Sequence, residues 1–169
     1  MTHRDVVKRA RAWLKKIEKC TVVVTERGAT NAQEIPDAIG WKAARHSILI
    51  ECKTSRSDFR ADSKKWFRQD GLGMGQTRYF MAPIGIIPPD ELPPGWGLLE
   101  LIDKETVQVT RKCDLLCFDE MRCWAELPLL TAVIRKLQYS NALLRKEIRE
   151  RKTKRGKSSR SSTKSRKAN

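Results

Sequence analysis

The feature that most constrains this chain is an apolar segment that ends in charged residues. Residues 48–50 are Ile-Leu-Ile and lead directly into Glu51 and Lys53, which flank Cys52. Asp37 precedes Glu51 by fourteen residues. The apolar run predicts a buried strand, and charge at the end of a buried strand is costly unless a metal ion or a substrate uses it. The segment is therefore a candidate functional site.

The alternation of side chains along a β-strand predicts which of these residues share a face. It directs Leu49, Glu51 and Lys53 to one face, and residues 48, 50 and 52 to the other. Asp37, on the preceding strand of an expected hairpin, reaches the same space as Glu51 if the two strands pair in a suitable register. Two carboxylates and a backbone carbonyl form the oxygen-rich site that Mg²⁺ prefers. Such a metal polarises a phosphodiester, and an adjacent lysine orients the attacking water or offsets negative charge.

Hydrophobic periodicity along the rest of the sequence predicts an α/β domain with a mixed central β-sheet flanked by helices. Helices are expected at 4–19, 57–69 and 127–151, and strands at 21–25, 34–41, 46–53, 79–81, 97–102 and 106–110. Residues 1–125 are expected to form this domain, 126–151 a long helix and 152–169 a disordered basic tail.

The positive charge of the chain is concentrated at its C-terminal end. The net charge is +15, and residues 145–169 contain twelve Lys or Arg and two Glu, which gives +10 for this segment and leaves +5 for residues 1–144. A segment of this kind favours polyanions, most simply nucleic acid, or an acidic membrane surface. A solubilising tail without a partner is the alternative.

The composition also bears on the compartment. No apolar run approaches the ~20 residues that span a membrane, and the chain begins with a polar, basic helix rather than a signal peptide. The five cysteines are an odd number, which favours free thiols. We expect a reduced, cytoplasmic protein.

Ordered motifs around the apolar strand resemble a known nuclease superfamily. They are Pro36-Asp37, then Glu51-Cys52-Lys53 followed by Thr-Ser-Arg-Ser-Asp-Phe, and then Asp62 and Lys65-Trp66. Further motifs are Arg-Tyr-Phe-Met-Ala-Pro at 78–83 and Leu-Pro-Pro-Gly-Trp-Gly-Leu-Leu at 92–99. Over residues 20–102 the chain resembles the PD-(D/E)XK nuclease superfamily, in particular the MmcB-like branch linked to DNA repair and related phage proteins.

This resemblance implies a restriction-endonuclease-like core and a metal-dependent site. Asp37, Glu51 and the main-chain carbonyl of Cys52 would hold Mg²⁺, with Mn²⁺ as a substitute, and Lys53 would serve catalysis. The superfamily often adds an upstream acidic ligand, for which Glu26 is preferred to Glu18 and Glu34. The implied function is a Mg²⁺-dependent DNA endonuclease in DNA repair or phage DNA processing, in the cytoplasm of a bacterium or of an infected host cell. The alternative is a catalytically inactive nucleic-acid-binding or adaptor protein that retains the fold.

Basic residues downstream of the motif are candidate DNA contacts. They would bind phosphates and position the duplex without reading its sequence, although a solvated helix face is the alternative. These candidates are Arg60, Lys64, Lys65, Arg68 and Arg78. Asp58, with Ser57, is expected to cap the helix that begins there. The glycine-rich loop at 71–75 lacks the ending of a nucleotide-binding loop and is interpreted as a mobile flap.

Cys113, Cys117 and Cys123 raise the possibility of a metal cluster. Their spacing lacks a paired C-x2-C knuckle, and both histidines lie far upstream in the sequence. Ordinary buried or half-buried thiols are therefore favoured over a metal site.

The long C-terminal helix carries a seven-residue repeat. Leucines recur at 130, 137 and 144, and a second series, offset by three and four residues, comprises Leu127, Ile134, Asn141 and Ile148. This pattern is that of a parallel homodimeric coiled coil with Leu at d and one polar Asn at a. The alternative is a helix that packs its apolar stripe on its own domain.

Overall fold

The computed structural model describes residues 1–28, 34–42, 46–62, 65, 73–114 and 120–165, with the side chains of 120–123 and 153–165 left out. The helices are α1 (His3–Lys16), α2 (Arg56–Asp62) and α3 (Glu120–Ser165), and a 3₁₀ helix spans Pro89–Glu91. The strands are β1 (Val22–Thr25), β2 (Ala38–Lys42), β3 (His46–Cys52), β4 (Thr77–Pro83), β5 (Gly97–Leu101) and β6 (Val107–Arg111).

The six strands form one mixed sheet whose spatial order follows the sequence from β1 to β6. Strand β3 pairs in parallel with β4, and β4 with β5, whereas the other neighbours are antiparallel. Helix α2 lies between β3 and β4 in the chain, as a parallel pair requires a crossover connection. Strands β3, β4 and β5 therefore occupy the centre of the sheet, where both of their edges are paired.

Helix α1 packs on one face of the sheet. Its N-terminus is closed by a capping box in which the side chains of Thr2 and Asp5 each accept a hydrogen bond from the other's backbone amide. One stripe of α1 is buried with the inward side chains of β3, including Ile48, Ile50 and Cys52. Strand alternation thus predicts this face correctly. The buried stripe of α1 comprises Val6, Val7, Ala10, Trp13 and Leu14.

Aromatic side chains cover the opposite face, to which Glu51 belongs. Phe80 of β4 lies beside Glu51 in the parallel register. The Phe80 ring meets Phe59 of α2 edge-on at 5.1 Å between centroids and stacks on Trp96 at 4.4 Å. Both faces of the central strands are therefore buried, and charged groups on them lie inside the protein rather than on a solvated surface.

Helix α3 is longer than the sequence indicates. It begins at Glu120 rather than at 127, and Pro128 lies inside it. Burial of Glu126 and Leu129 in the domain stabilises the turn around this proline. The compact unit that contains the sheet comprises Met1–Leu129, and residues 130–169 form a second unit. Helix α3 continues through 152–165, which is part of the segment for which the sequence predicts a disordered tail.

Among the other elements, the boundaries of β2 and α2 differ from expectation near the candidate site. Strand β2 begins at Ala38, so Glu34 precedes it. Helix α2 starts at Arg56 and ends at Asp62, and Lys65 lies in a bend beyond it. The hydroxyl of Ser55, rather than Ser57 or Asp58, accepts the Asp58 amide at the helix start.

The fold class expected from the sequence is confirmed: an α/β domain with a mixed central sheet flanked by helices and a long C-terminal helix. Within the described part of the chain, no helix is both long enough and apolar enough to cross a membrane.

Candidate active site at the end of strand β3

The β2–β3 hairpin brings Asp37 to the end of β3. Ala38 pairs with Ile50, so Asp37 lies directly before β2, next to the residues that follow Ile50. Its Oδ2 accepts a hydrogen bond of 2.8 Å from the backbone amide of Cys52. The register that would bring Asp37 towards Glu51 is therefore present.

Cys52 contributes its backbone to this site rather than its thiol. The side chain is fully buried in the core on the α1 face. Burial raises the pKa of this thiol well above its ordinary value, and the negative charges of Asp37 and Glu51 raise it further. The thiol therefore remains protonated and chemically inert, and its position leaves the backbone carbonyl as the group of Cys52 that would bind a metal.

Glu51 and Lys53 lie in the interior with only 3% and 4% of their surfaces exposed. Lys53 Nζ is 3.1 Å from Asp62 Oδ1 and 3.8 Å from Glu51 Oε2. Burial disfavours the charged ammonium, but the attraction of Asp62 and Glu51 outweighs it, so the pKa of Lys53 is raised. Lys53 is therefore a permanent cation at neutral pH, held between two carboxylates.

Asp62 is a member of this site that sequence reasoning did not assign. It is 1% exposed, and its Oδ1 also lies 2.6 Å from Nζ of Lys65. The signal that indicates it is the helical spacing from Phe59. Residues three apart lie on one helix face, and Phe59 and Asp62 are the two buried residues of α2. We name Glu51, Lys53 and Asp62 the buried charge cluster.

Glu26 lies near Asp37, and between them lies His3, to which the sequence analysis assigned no role. His3 Nε2 is 3.4 Å from Asp37 Oδ1 and 3.7 Å from Glu26 Oε1. Glu26 has φ of 47°, in the left-handed region, and its amide donates to the Asp37 carbonyl at 3.1 Å. Its side chain is 55% exposed. Glu26 thus belongs to a solvent-facing group beside Asp37, apart from the buried charge cluster.

The donor chemistry of the expected metal ligands fits a hard divalent cation. Asp37, Glu51 and the Cys52 carbonyl supply only oxygen atoms, as Mg²⁺ prefers. Among the described residues, no three His, Cys, Asp or Glu side chains are arranged as a metal site. Mg²⁺ needs fewer, because one or two carboxylates commonly hold it together with water and substrate phosphates. Asp37 and Glu51 would be the side chains that bind it, with Glu26 as a further carboxylate nearby.

Most of the candidate DNA contacts have carboxylate partners or lie outside the described residues. Arg60 is exposed and pairs with Glu91 at 3.3 Å, and Lys65, also largely exposed, pairs with Asp62. Lys64 and Arg68 lie outside the described residues. Arg60 and Lys65 thus remain accessible to a phosphate.

The position of Arg78 does not fit the prediction that it contacts DNA, because the residue is only 2% exposed. Its Nε donates to the carbonyl of Met74 at 2.9 Å, and its guanidinium lies over the Trp96 ring at 5.5 Å. A buried arginine that binds backbone carbonyls fixes a loop rather than a ligand. Strand alternation could not reveal this burial, since both faces of β4 are covered.

The described part of the glycine-rich loop is fastened to the domain rather than free to act as a flap. The Met74 amide donates to Glu34 at 2.8 Å, and the Gly75 amide to Glu126 at 3.1 Å. The Glu126 carboxylate also accepts from the Trp41 indole and the Ser47 hydroxyl, each at 2.6 Å. The expectation of a mobile flap is therefore wrong for 73–75, and residues 71 and 72 lie outside the described residues.

Cys113 behaves as an ordinary half-buried thiol. Its sulfur accepts from the Arg78 amide at 3.2 Å and donates to the Gly95 carbonyl at 2.9 Å. Cys117 and the side chain of Cys123 lie outside the described residues, so their part of the expected thiol group stays a prediction.

Comparison with known proteins yields a structural relative. Neither a family model nor a curated protein matches the chain. A solved structure of a protein of unknown function from Silicibacter pomeroyi is similar, with a TM-score of 0.61 at 21% identity. The similarity covers 83% of this chain and 92% of that chain. A likeness at this level of identity shows the fold alone.

Proposed function

We propose that this protein is a metal-dependent DNA endonuclease that hydrolyses phosphodiester bonds, in DNA repair or phage DNA processing. The observation that supports the proposal is the buried charge cluster beside Asp37 at the end of a central strand. Three charged side chains with at most 4% exposure are expensive to bury, and replacing such groups with apolar ones is often neutral or stabilising. The presence of these charged groups in the interior is explained if they take part in a catalysed reaction.

Each group of the site would have one role in this reaction. Asp37, Glu51 and the Cys52 carbonyl would bind Mg²⁺, which supplies activation of water and polarisation of the phosphodiester. Lys53, a cation by virtue of Asp62 and Glu51, would offset the negative charge that develops on the phosphate oxygens. The exposed basic side chains of Arg60 and Lys65 would contact the phosphates of the DNA backbone.

Cleavage of DNA by the purified protein tests this proposal directly. Plasmid, single-stranded and branched DNA would be incubated with Mg²⁺ or Mn²⁺, and with chelator as the negative control. We expect metal-dependent cleavage that Asp37→Ala and Lys53→Met abolish. Asp103→Asn is the matched control, because Asp103 accepts hydrogen bonds only within its own exposed turn. Cleavage that survives in Asp37→Ala or Lys53→Met would refute the assignment.

The alternative proposal, a nucleic-acid-binding or adaptor protein without cleavage, is favoured by one contact. Lys53 lies closer to Asp62 than to Glu51, so its ammonium is already neutralised within the protein. This alternative predicts DNA binding that weakens steeply with salt, that is lost on deleting residues 145–169, and that is unchanged by chelator. Absence of cleavage on all three DNA forms, together with this binding profile, would decide for it.

A further inference from the structure

A stripe of apolar side chains lies exposed along helix α3. Ile134, Leu137, Leu144 and Ile148 are each more than half exposed, although all four are large and apolar. They occupy alternating positions of a seven-residue repeat, with Ile at a and Leu at d. A narrow a/d stripe at this spacing is the seam of a coiled coil and is self-complementary, because each position meets its own equivalent in a second copy.

The polar residue in this stripe selects the orientation of the second copy. Asn141 is at an a position, between Leu137 and Leu144. In a parallel pair the two Asn141 amides face each other and hydrogen-bond. In an antiparallel pair each a position meets a d position, so the amide would be buried against leucine without a partner. The stripe therefore favours a parallel, in-register arrangement.

The charges that flank the stripe favour the same arrangement. Glu147 is at g, and Lys152, five residues later, is at the following e position. In a parallel dimer, the g residue of one helix approaches the e residue of the next heptad on the other helix. Glu147 of each chain would thus pair with Lys152 of its copy, twice in each dimer.

We propose that α3 forms a parallel, in-register homodimeric coiled coil through residues 127–152, with Asn141 paired to its equivalent and Glu147 paired across the interface with Lys152. The occupant of the apolar stripe is a second copy of this chain. Because the two helices run in parallel, both chains enter the coiled coil at the same end, after residue 129. This inference does not depend on nuclease activity.

The mass of the full chain in solution tests the interface. Sedimentation equilibrium should give twice the chain mass of 19.4 kDa. Leu137→Glu, in the stripe, should reduce the mass to that of one chain. The matched control is Tyr139→Glu, because Tyr139 is 68% exposed on the same helix but lies outside the a and d positions. A wild-type monomer, or a Leu137→Glu dimer, would overturn the proposal.

Two further measurements test the orientation. Glu147→Lys should raise the dimer dissociation constant by roughly fivefold, and Glu147→Lys combined with Lys152→Glu should restore it. Ile148→Cys should give a disulfide-linked dimer on oxidation, whereas Arg149→Cys, one position off the seam, and wild type should not. Failure of the double charge reversal to rescue, with no cross-link through Ile148→Cys, would exclude the parallel arrangement.

Discussion

Replacing Asp62 with asparagine probes the buried charge cluster most directly. The change keeps the size of the side chain and removes the carboxylate nearest to Lys53 Nζ, at 3.1 Å. With an effective dielectric constant of 20, a pair at this distance attracts by about 5 kcal/mol before desolvation is counted. The Glu51 carboxylate, at 3.8 Å, still supplies about 4 kcal/mol. The variant therefore keeps a buried ammonium with one carboxylate instead of two.

The expected cost follows from these contacts. Breaking a buried ion pair by removing one partner costs about 3–5 kcal/mol. Because Glu51 remains close and the asparagine oxygen still accepts a hydrogen bond, we expect a loss near the lower limit, about 3 kcal/mol in the free energy of unfolding. Urea denaturation at fixed protein concentration measures this loss. With a slope of about 2 kcal/mol/M, the midpoint should fall by about 1.5 M.

The matched control is Asp58→Asn on the same helix. Asp58 is exposed and acts on Lys53 through long-range electrostatic attraction, so its replacement should lower the free energy of unfolding by less than about 1 kcal/mol. An equal decrease in the free energy of unfolding for the two variants, or a decrease below about 1 kcal/mol for Asp62→Asn, would contradict a buried ion pair between Asp62 and Lys53.

Three further predictions concern stability. Gly75→Ala should lower the free energy of unfolding by about 3 kcal/mol or more, because the added Cβ would lie 2.5 Å from a side-chain carbon of β3. Gly85 also has a positive φ, but a Cβ there would meet nothing within 4 Å, so Gly85→Ala should lower it by only about 1 kcal/mol. Glu126→Ala removes the acceptor of three hydrogen bonds, from the buried Ser47 hydroxyl, the buried Gly75 amide and the part-buried Trp41 indole, and should lower the free energy of unfolding by about 3 kcal/mol in urea denaturation. Exposed Glu150→Ala should lower it by less than about 0.5 kcal/mol. The raised pKa of Lys53 stabilises the fold below the unfolded value and ceases to do so as pH rises through the folded value. The stability difference between wild type and Lys53→Met, measured by urea denaturation, should therefore fall as pH rises above about 10.4. A difference that grows above this pH would contradict this assignment.

Local patterns predict much of the fold because they depend on neighbours along the chain. Helix α1 follows from its 3.6-residue apolar period, and the two faces of β3 follow from alternation. The contact between Asp37 and the end of β3 follows from the same alternation once the hairpin register is suitable. These are short-range consequences, and the structure agrees with them.

The residues that sequence reasoning misassigned or missed depend on long-range packing. Arg78 looks like other basic residues of the chain, but its guanidinium lies over the ring of Trp96, which is remote in the sequence, and its Nε donates to the nearby Met74 carbonyl. His3 reaches Asp37 because α1 packs across the sheet, which no spacing in the sequence reveals. The 71–75 loop looked mobile because glycines suggest freedom, whereas Glu126, far along the chain, fastens Gly75.

Replacing all three residues of the buried charge cluster at once distinguishes a structural role of the cluster from a catalytic one. If Glu51, Lys53 and Asp62 are retained for function, the combined variant Glu51→Leu, Lys53→Met, Asp62→Leu should be about as stable as wild type or more stable, because no buried charge is left without its partner. The single variant Asp62→Asn should be the less stable of the two, since it leaves a buried ammonium with fewer carboxylates. Stability in the combined variant below that of Asp62→Asn would instead assign the cluster to structure, and the case for an active site at this position would lose its main support.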